Sequence, residues 1–221
     1  MSQVPSVRPP SQARSQATME RFVQATRDLL HERSFEEITV ADIVARADRT
    51  VGSFYARFED KDAVLRLLLE QLDTRIRDLV RAFCDPVRWD GAPVGQFVAE
   101  SVKLNVHAYR RSAPLFRAAV ALAATDAEFR ELRRSTMQFS AEEQKRFLLS
   151  RRDELHCADA ARASDAMFEM VAATLDHELL YGRFTLTSPA TDGELIEDLT
   201  GRALGILGAA PVDSVVAAAG I

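Results

Sequence analysis

Apolar residues recur along this chain at three- and four-residue steps and nowhere in the strict alternation of a strand. Between Gln16 and Arg33 the stripe is Met19, Phe22, Val23, Leu29 and Leu30, with Thr26 in its middle offering a methyl group. This is the pattern of a helix with one buried face. Lys61 to Phe83 repeats it, with Val64, Leu65, Leu68, Leu72, Ile76, Leu79 and Val80 inward. Further helices are predicted over 94–111, 114–124, 126–152, 159–184 and 192–207. Pro114 suits a first helical turn, where its missing N–H is no loss. Ser140 to Glu143 has the form of a capping box, which would split 126–152 into two pieces. Asp85 to Pro93 reads as a loop. The expected fold is all-α. A Pro-, Ser- and Gln-rich disordered tail (1–14) precedes a three-helix module (15–60). A larger helical bundle (61–209) and a loose, low-complexity tail (210–221) follow.

The stretch from Ile38 to Leu65 is the most specific. Thr39-Val40-Ala41-Asp42 fits a capping box in which Asp replaces the usual Glu. On the helix it opens, Ile43, Val44 and Ala47 face inward, and Ala41 and Ala45 are small enough for a second helix to cross closely. The turn falls at Asp48, in a position that needs positive φ, where Asp is tolerated after Gly. On the short second helix Phe54 and Phe58 supply the inner face. Thr50, Val51, Ser53, Tyr55, Ala56 and Arg57 are left at the edge or outside. The two helices have the build of a helix-turn-helix, and the outer residues suit a DNA duplex. Hydroxyls of Thr50, Ser53 and Tyr55 donate to phosphate oxygens. Val51 and Ala56 fit thymine methyls, and Arg49 or Arg57 reaches a guanine edge or a phosphate. Gly52 leaves room for close approach of the backbone. Lys61 opens the next helix, a poor place for a cation beside the helix dipole. A nearby phosphate would account for it; simple solvation among Glu59, Asp60 and Asp62 is the alternative.

The run from Ala47 to Leu65 resembles the signature of TetR/AcrR-type bacterial transcriptional regulators. Gly52, Ser53, Phe54, Tyr55, Phe58 and Lys61 match its order and spacing, and Phe35 to Val44 resembles the approach to its second helix. The resemblance covers residues 16–65, and it departs from the pattern at Asp48, for a turn Gly, and Arg49, for an apolar residue. It implies that Thr39, Thr50, Ser53, Tyr55 and Lys61 contact the DNA backbone. Val51, Gly52, Ala56 and Arg57 would line the base edges. It also implies a C-terminal domain that dimerises and binds a small molecule. The wide apolar face of Met167, Phe168, Met170, Val171, Thr174, Leu175 and Leu179, with Gly201, Gly205 and Gly208 on the last helix, fits a homodimer through residues 159–208. An internal packing groove is the alternative. Phe97, His107, Phe116, Met137, Phe147, Met167, Phe168 and His177 are the candidates to surround an effector, with plain core packing as the competing role.

Charge does not advertise nucleic acid. The net value is −5, and residues 1–65 carry nine Arg or Lys against ten Asp or Glu, so a DNA-binding face must come from placement of charge rather than surplus. Two distant cysteines, Cys84 and Cys157, make no disulfide framework. No apolar run approaches the ~20 residues of a membrane span, and the first residues lack the apolar core of a secretory signal. A cytoplasmic location is expected. His177-Glu178 lacks the second histidine of a zinc-protease motif, and His156-Cys157 has no matching ligands nearby, so neither a metal site nor a cofactor is expected. No phosphate-binding loop or nucleophile elbow appears. The expected function is a ligand-responsive repressor that binds a pseudo-palindromic operator as a dimer and is released by a small apolar molecule. An activator or ligand-independent regulator of the same fold is the first alternative; a helical enzyme or interaction module is the second.

Overall fold

The computed structural model describes residues 11–182 and 191–211. The chain divides into two compact units, Met1–Leu72 and Asp73–Ile221. Among the described residues it is helical, with no strand.

The first unit contains α1 (Ser11–Leu30), α2 (Val40–Arg46), α3 (Val51–Tyr55) and the opening turns of α4 (Lys61–Phe83). α1 begins at Ser11, inside the stretch read as tail; residues 1–10 lie outside the described part. Its core is aromatic. Phe22 meets Phe54 edge-on at 5.3 Å and Phe58 at 6.2 Å, and Phe54 and Phe58 lie 5.4 Å apart. Such pairs add about 0.5–1.5 kcal/mol each beyond burial of their area. Leu29, Ile38, Ile43, Val64, Leu65 and Leu68 close the core. Thr26 is fully buried because its hydroxyl donates to the Phe22 carbonyl, 2.9 Å away, leaving no polar atom unmatched.

The second unit holds the remainder of α4 and then α5 (Val94–Arg111), α6 (Ala113–Thr125), α7 (Ala127–Ser150), α8 (Ala160–Tyr181) and α9 (Asp192–Leu207). α5 packs on α9 and α8, α8 on α7 and α9, and α6 on α7. α7 is one continuous helix rather than two: the Ser140 hydroxyl donates back to the Thr136 carbonyl at 2.9 Å instead of capping a new turn. The loop expected at 85–93 contains a 3-10 turn, Pro86–Trp89, that buries Trp89. The indole N–H donates to the Phe83 carbonyl at 2.6 Å, and the ring joins Phe83, Phe97 and Phe147, the last two stacked at 4.0 Å. α8 ends at Tyr181, and the predicted final turn through Phe184 falls outside the described residues, as does the tail from 212 onward. No helix among the described residues is long and apolar enough to cross a membrane.

Candidate nucleic-acid interface

The helix-turn-helix is assembled by its caps. Thr39 closes the N-terminus of α2: its hydroxyl oxygen accepts from the Asp42 N–H at 3.2 Å, and the Asp42 carboxylate accepts from the Thr39 N–H at 2.9 Å and its hydroxyl at 2.6 Å. These bonds, with Arg33 3.0 Å away, hold the Asp42 carboxyl down at about 2. Arg46 pairs with Glu32 at 2.7 Å and ties α2 to the end of α1. Asp48 has φ of 53°, the left-handed conformation expected of the turn, and it is the sole non-glycine with positive φ among the described residues. Thr50 then caps α3 by accepting from the Ser53 N–H at 3.2 Å.

This geometry sorts the predicted contact residues. Thr50, Val51, Gly52, Tyr55 and Ala56 are exposed on one short helix and its two caps, with Val51 at 49% and Tyr55 at 56% of full exposure. The Tyr55 ring leans edge-on against Phe54 at 5.5 Å, so its aromatic body is braced by the core. No described group receives a proton from the hydroxyls of Thr50 or Tyr55. Thr39 and Ser53 differ, since both spend their hydroxyl protons locally, Ser53 on the Thr50 carbonyl at 2.7 Å. Arg57 is also bound inward, donating to the Ser53 carbonyl at 2.8 Å and the Ser15 carbonyl at 3.3 Å. Arg49 donates to the Asp48 carbonyl at 2.6 Å and sits at the edge of the face.

Lys61 has a role that the sequence did not reveal. Its ammonium donates to the carbonyls of Phe35, Glu36 and Ile38 at 2.9, 3.2 and 2.9 Å and stands 4.7 Å above the Phe35 ring. An ammonium has three protons, and all three are taken up by the connection between α1 and α2. A phosphate is therefore not required to explain a cation at this helix start, because these three carbonyls already hold it. The start of α4 is capped by Asp60, which accepts from the Ala63 N–H at 2.8 Å. The Lys61–Phe35 contact was missed in the sequence because a cation–aromatic contact across 26 residues has no local periodic signal, whereas the Asp60 cap, three residues from Ala63, was a local signal left unread.

Residues 22–68, from the buried Phe22 to the buried Leu68, match the family described as bacterial regulatory proteins, tetR family. The helix-turn-helix segment thus matches the TetR family. Over 60 residues it is 38% identical to the uncharacterized HTH-type transcriptional regulator YwcC of Bacillus subtilis (strain 168), a match spanning 27% of each protein. Its fold is shared with a TetR transcription regulator from Haloarcula marismortui ATCC 43049 (14% identity, 87% of this chain and 97% of that one, TM-score 0.67). It is shared also with SmeT, the repressor of the Stenotrophomonas maltophilia multidrug efflux pump SmeDEF (21% identity, 86% and 91%, TM-score 0.60).

Outside the segment that matches the TetR family, the second unit contains a cavity of about 90 Å³ walled by α4, α5, α6, α7 and α8. Four of the eight effector candidates line it: Phe116, Met137, Met167 and Phe168. The other four do not. Phe97 and Phe147 stack on each other in the aromatic core, His107 points to solvent, and His177 lies beside Tyr181 at 5.2 Å. Helical spacing alone cannot tell a core ring from a cavity ring, because both sit on the same inward arc. The polar part of the wall, including Ser101, Asn105, Tyr109, Thr136 and Gln144, was also missed. Leu79, expected in the core, is 44% exposed and lines the cavity. Gly201 and Gly205 are exposed, and among the described residues no atom outside their own helix backbone and chain neighbours lies within 4 Å of where a Cβ would be. Gly208 is different. It ends α9 at φ of 63°, and a Cβ there would lie 2.7 Å from the His156 backbone.

Proposed function

We propose that this chain is a transcriptional regulator that binds a pseudo-palindromic operator as a homodimer, acts as a repressor, and is released by a small molecule held in the second unit. The observation that carries the DNA-binding part is the exposed surface of α3. It combines two hydroxyls with uncommitted protons, Thr50 and Tyr55, two small apolar groups, Val51 and Ala56, and a glycine, all braced from behind by Phe54. The hydroxyls suit phosphate and the apolar groups suit thymine methyls. Arg49 and Arg57 lie at its border and, on release from their carbonyls, add charge. Thr39, Ser53 and Lys61 serve chiefly to hold the reading helix in place.

Dimerisation through α8 and α9 is supported by what those helices leave open. Gly201 and Gly205 are exposed on α9, and Leu180 and Tyr181 are exposed on α8. Each glycine costs a helix interior about 1 kcal/mol relative to Ala, which is understandable if another backbone approaches there. Two reading helices would then enter successive major grooves about 34–36 Å apart. A ligand that binds one subunit arrangement better than the other shifts the population between them. A cytoplasmic location follows from this role.

The test is an electrophoretic shift against the DNA upstream of the chain's own coding sequence, with wild type and Tyr55→Ala. The variant is expected to lose at least tenfold in operator affinity while its dimer and its thermal unfolding stay intact. Unchanged affinity would remove α3 as the reading element.

A further inference from the structure

The cavity has an uneven wall. Most of it is aliphatic or aromatic, no Asp, Glu, Lys, Arg or His lines it, and the charges just behind it are already matched. Asp176 takes both oxygens to Arg133, at 2.7 and 2.5 Å, and receives the Tyr109 hydroxyl at 3.0 Å. Asp73 is paired with Arg77 at 2.9 Å and accepts from Thr136. Burial raises the Tyr109 phenol and holds the Cys84 thiol up at about 12, so both wall groups are neutral. The hydroxyl protons are likewise spent: Ser140 on the Thr136 carbonyl and Ser101 on the Gln144 carbonyl oxygen at 3.0 Å.

Gln144 is the buried exception, while the half-buried Asn105 commits one amide N–H to the Ser101 carbonyl at 2.9 Å. Gln144 is 6% exposed and lines the cavity. Its oxygen accepts from Ser101, but its amide nitrogen has no partner among the described residues. Two N–H groups of a largely buried side chain that open onto a mostly apolar space favour a ligand that brings an acceptor to them. Resting on the reading of this cavity as the effector site, we infer that the effector is a small uncharged molecule, largely apolar, that presents one carbonyl-type oxygen to the Gln144 amide. An ion would lose its water with no counter-charge to meet it. A hydrocarbon would leave the amide unmatched. The volume sets the size: roughly 150 Å³ accommodates benzene, so even a five- or six-membered ring must push aside the flexible side chains of Met137 and Met167 or the exposed Leu79.

The experiment uses the full chain with ¹³C-labelled methionine methyls and ¹⁵N-labelled glutamine. The probes are cyclopentanone, its hydrocarbon isostere methylenecyclopentane, cyclopentanecarboxylate and cyclopentylammonium. Cyclopentanone is expected to shift the Met137 and Met167 methyls and the Gln144 side-chain amide, whereas the two ions shift none of them. In Gln144→Met the preference for ketone over hydrocarbon should fall by about tenfold, one buried hydrogen bond's worth. If that variant fails to fold, the wild-type amide decides: it should move with the ketone and not with the hydrocarbon. Ions that bind as well as the ketone, an amide that stays still while the methyls move, or an unchanged preference in the variant would each overturn the inference and leave the cavity as a site. If no probe moves any methyl, the cavity is not a binding site, and the effector reading itself fails.

Discussion

Replacing Lys61 with Met separates an internal tie from a DNA contact. The substitution keeps the length of the side chain and deletes the charge, so three carbonyls at the connection from α1 to α2 lose their donor and the Phe35 ring loses its cation. A fully buried hydrogen bond to a charged group contributes about 1.5–3 kcal/mol, and an exposed cation over a ring about 0.5–1. Lys61 is half-buried, and water replaces it at the carbonyls, so the total is discounted to about 2 kcal/mol for the three bonds and the ring together. That corresponds to roughly a thirtyfold rise in the rate at which protected amides of α2 exchange. The Ala47 N–H, bonded to the Ile43 carbonyl at 2.9 Å, is a suitable reporter. Hydrogen exchange followed by mass spectrometry measures it over residues 38–48. At low temperature, where the module stays closed, operator affinity and its salt dependence should match wild type. The opposite pattern would refute the reasoning: unchanged exchange with a salt slope smaller by about 0.9, the signature of one lost phosphate contact.

Other outcomes follow from the same geometry. The Asp42 carboxyl, held at about 2 against an ordinary 3.8, favours the folded state at any pH above 3.8 and loses that contribution as pH falls through about 2. Wild type and Asp42→Asn should therefore differ in thermal stability at pH 6 and converge towards pH 2; a gap independent of pH would contradict the ionic cap. Gly208→Ala should destabilise the second unit by about 1–3 kcal/mol, because the left-handed cap and the nearby His156 backbone leave no room for a methyl group. Gly201→Ala and Gly205→Ala should instead stabilise the isolated helix and weaken self-association, which sedimentation velocity resolves. A dimer unaffected by both would move the interface elsewhere.

Much of the first unit was legible because its signals are local. Thr39 with Asp42 announces a capping box, Asp48 announces a left-handed turn, and Phe54 with Phe58 marks an inner face; the structure contains all three. Each depends on residues a few positions apart, where backbone geometry fixes which groups meet. The partners of Lys61 were not legible, since they are carbonyls brought within reach only when α4 folds back beside the α1–α2 connection.

In the second unit the periodic stripes located the helices to within a few residues but not what each stripe faces. Phe97 and Phe116 sit on α5 and α6 with the same apolar character, yet one stacks in a closed aromatic core and the other borders a cavity. The amino-acid order alone determined that the chain is helical, where its helices begin, and that a short helix with a hydroxyl-bearing surface follows a left-handed turn. Tertiary structure decided which protons remain unspent: those of Lys61 are taken, those of Tyr55 and Gln144 are not. Donor and acceptor capacity is written in each residue, but whether it is satisfied depends on neighbours that only packing supplies.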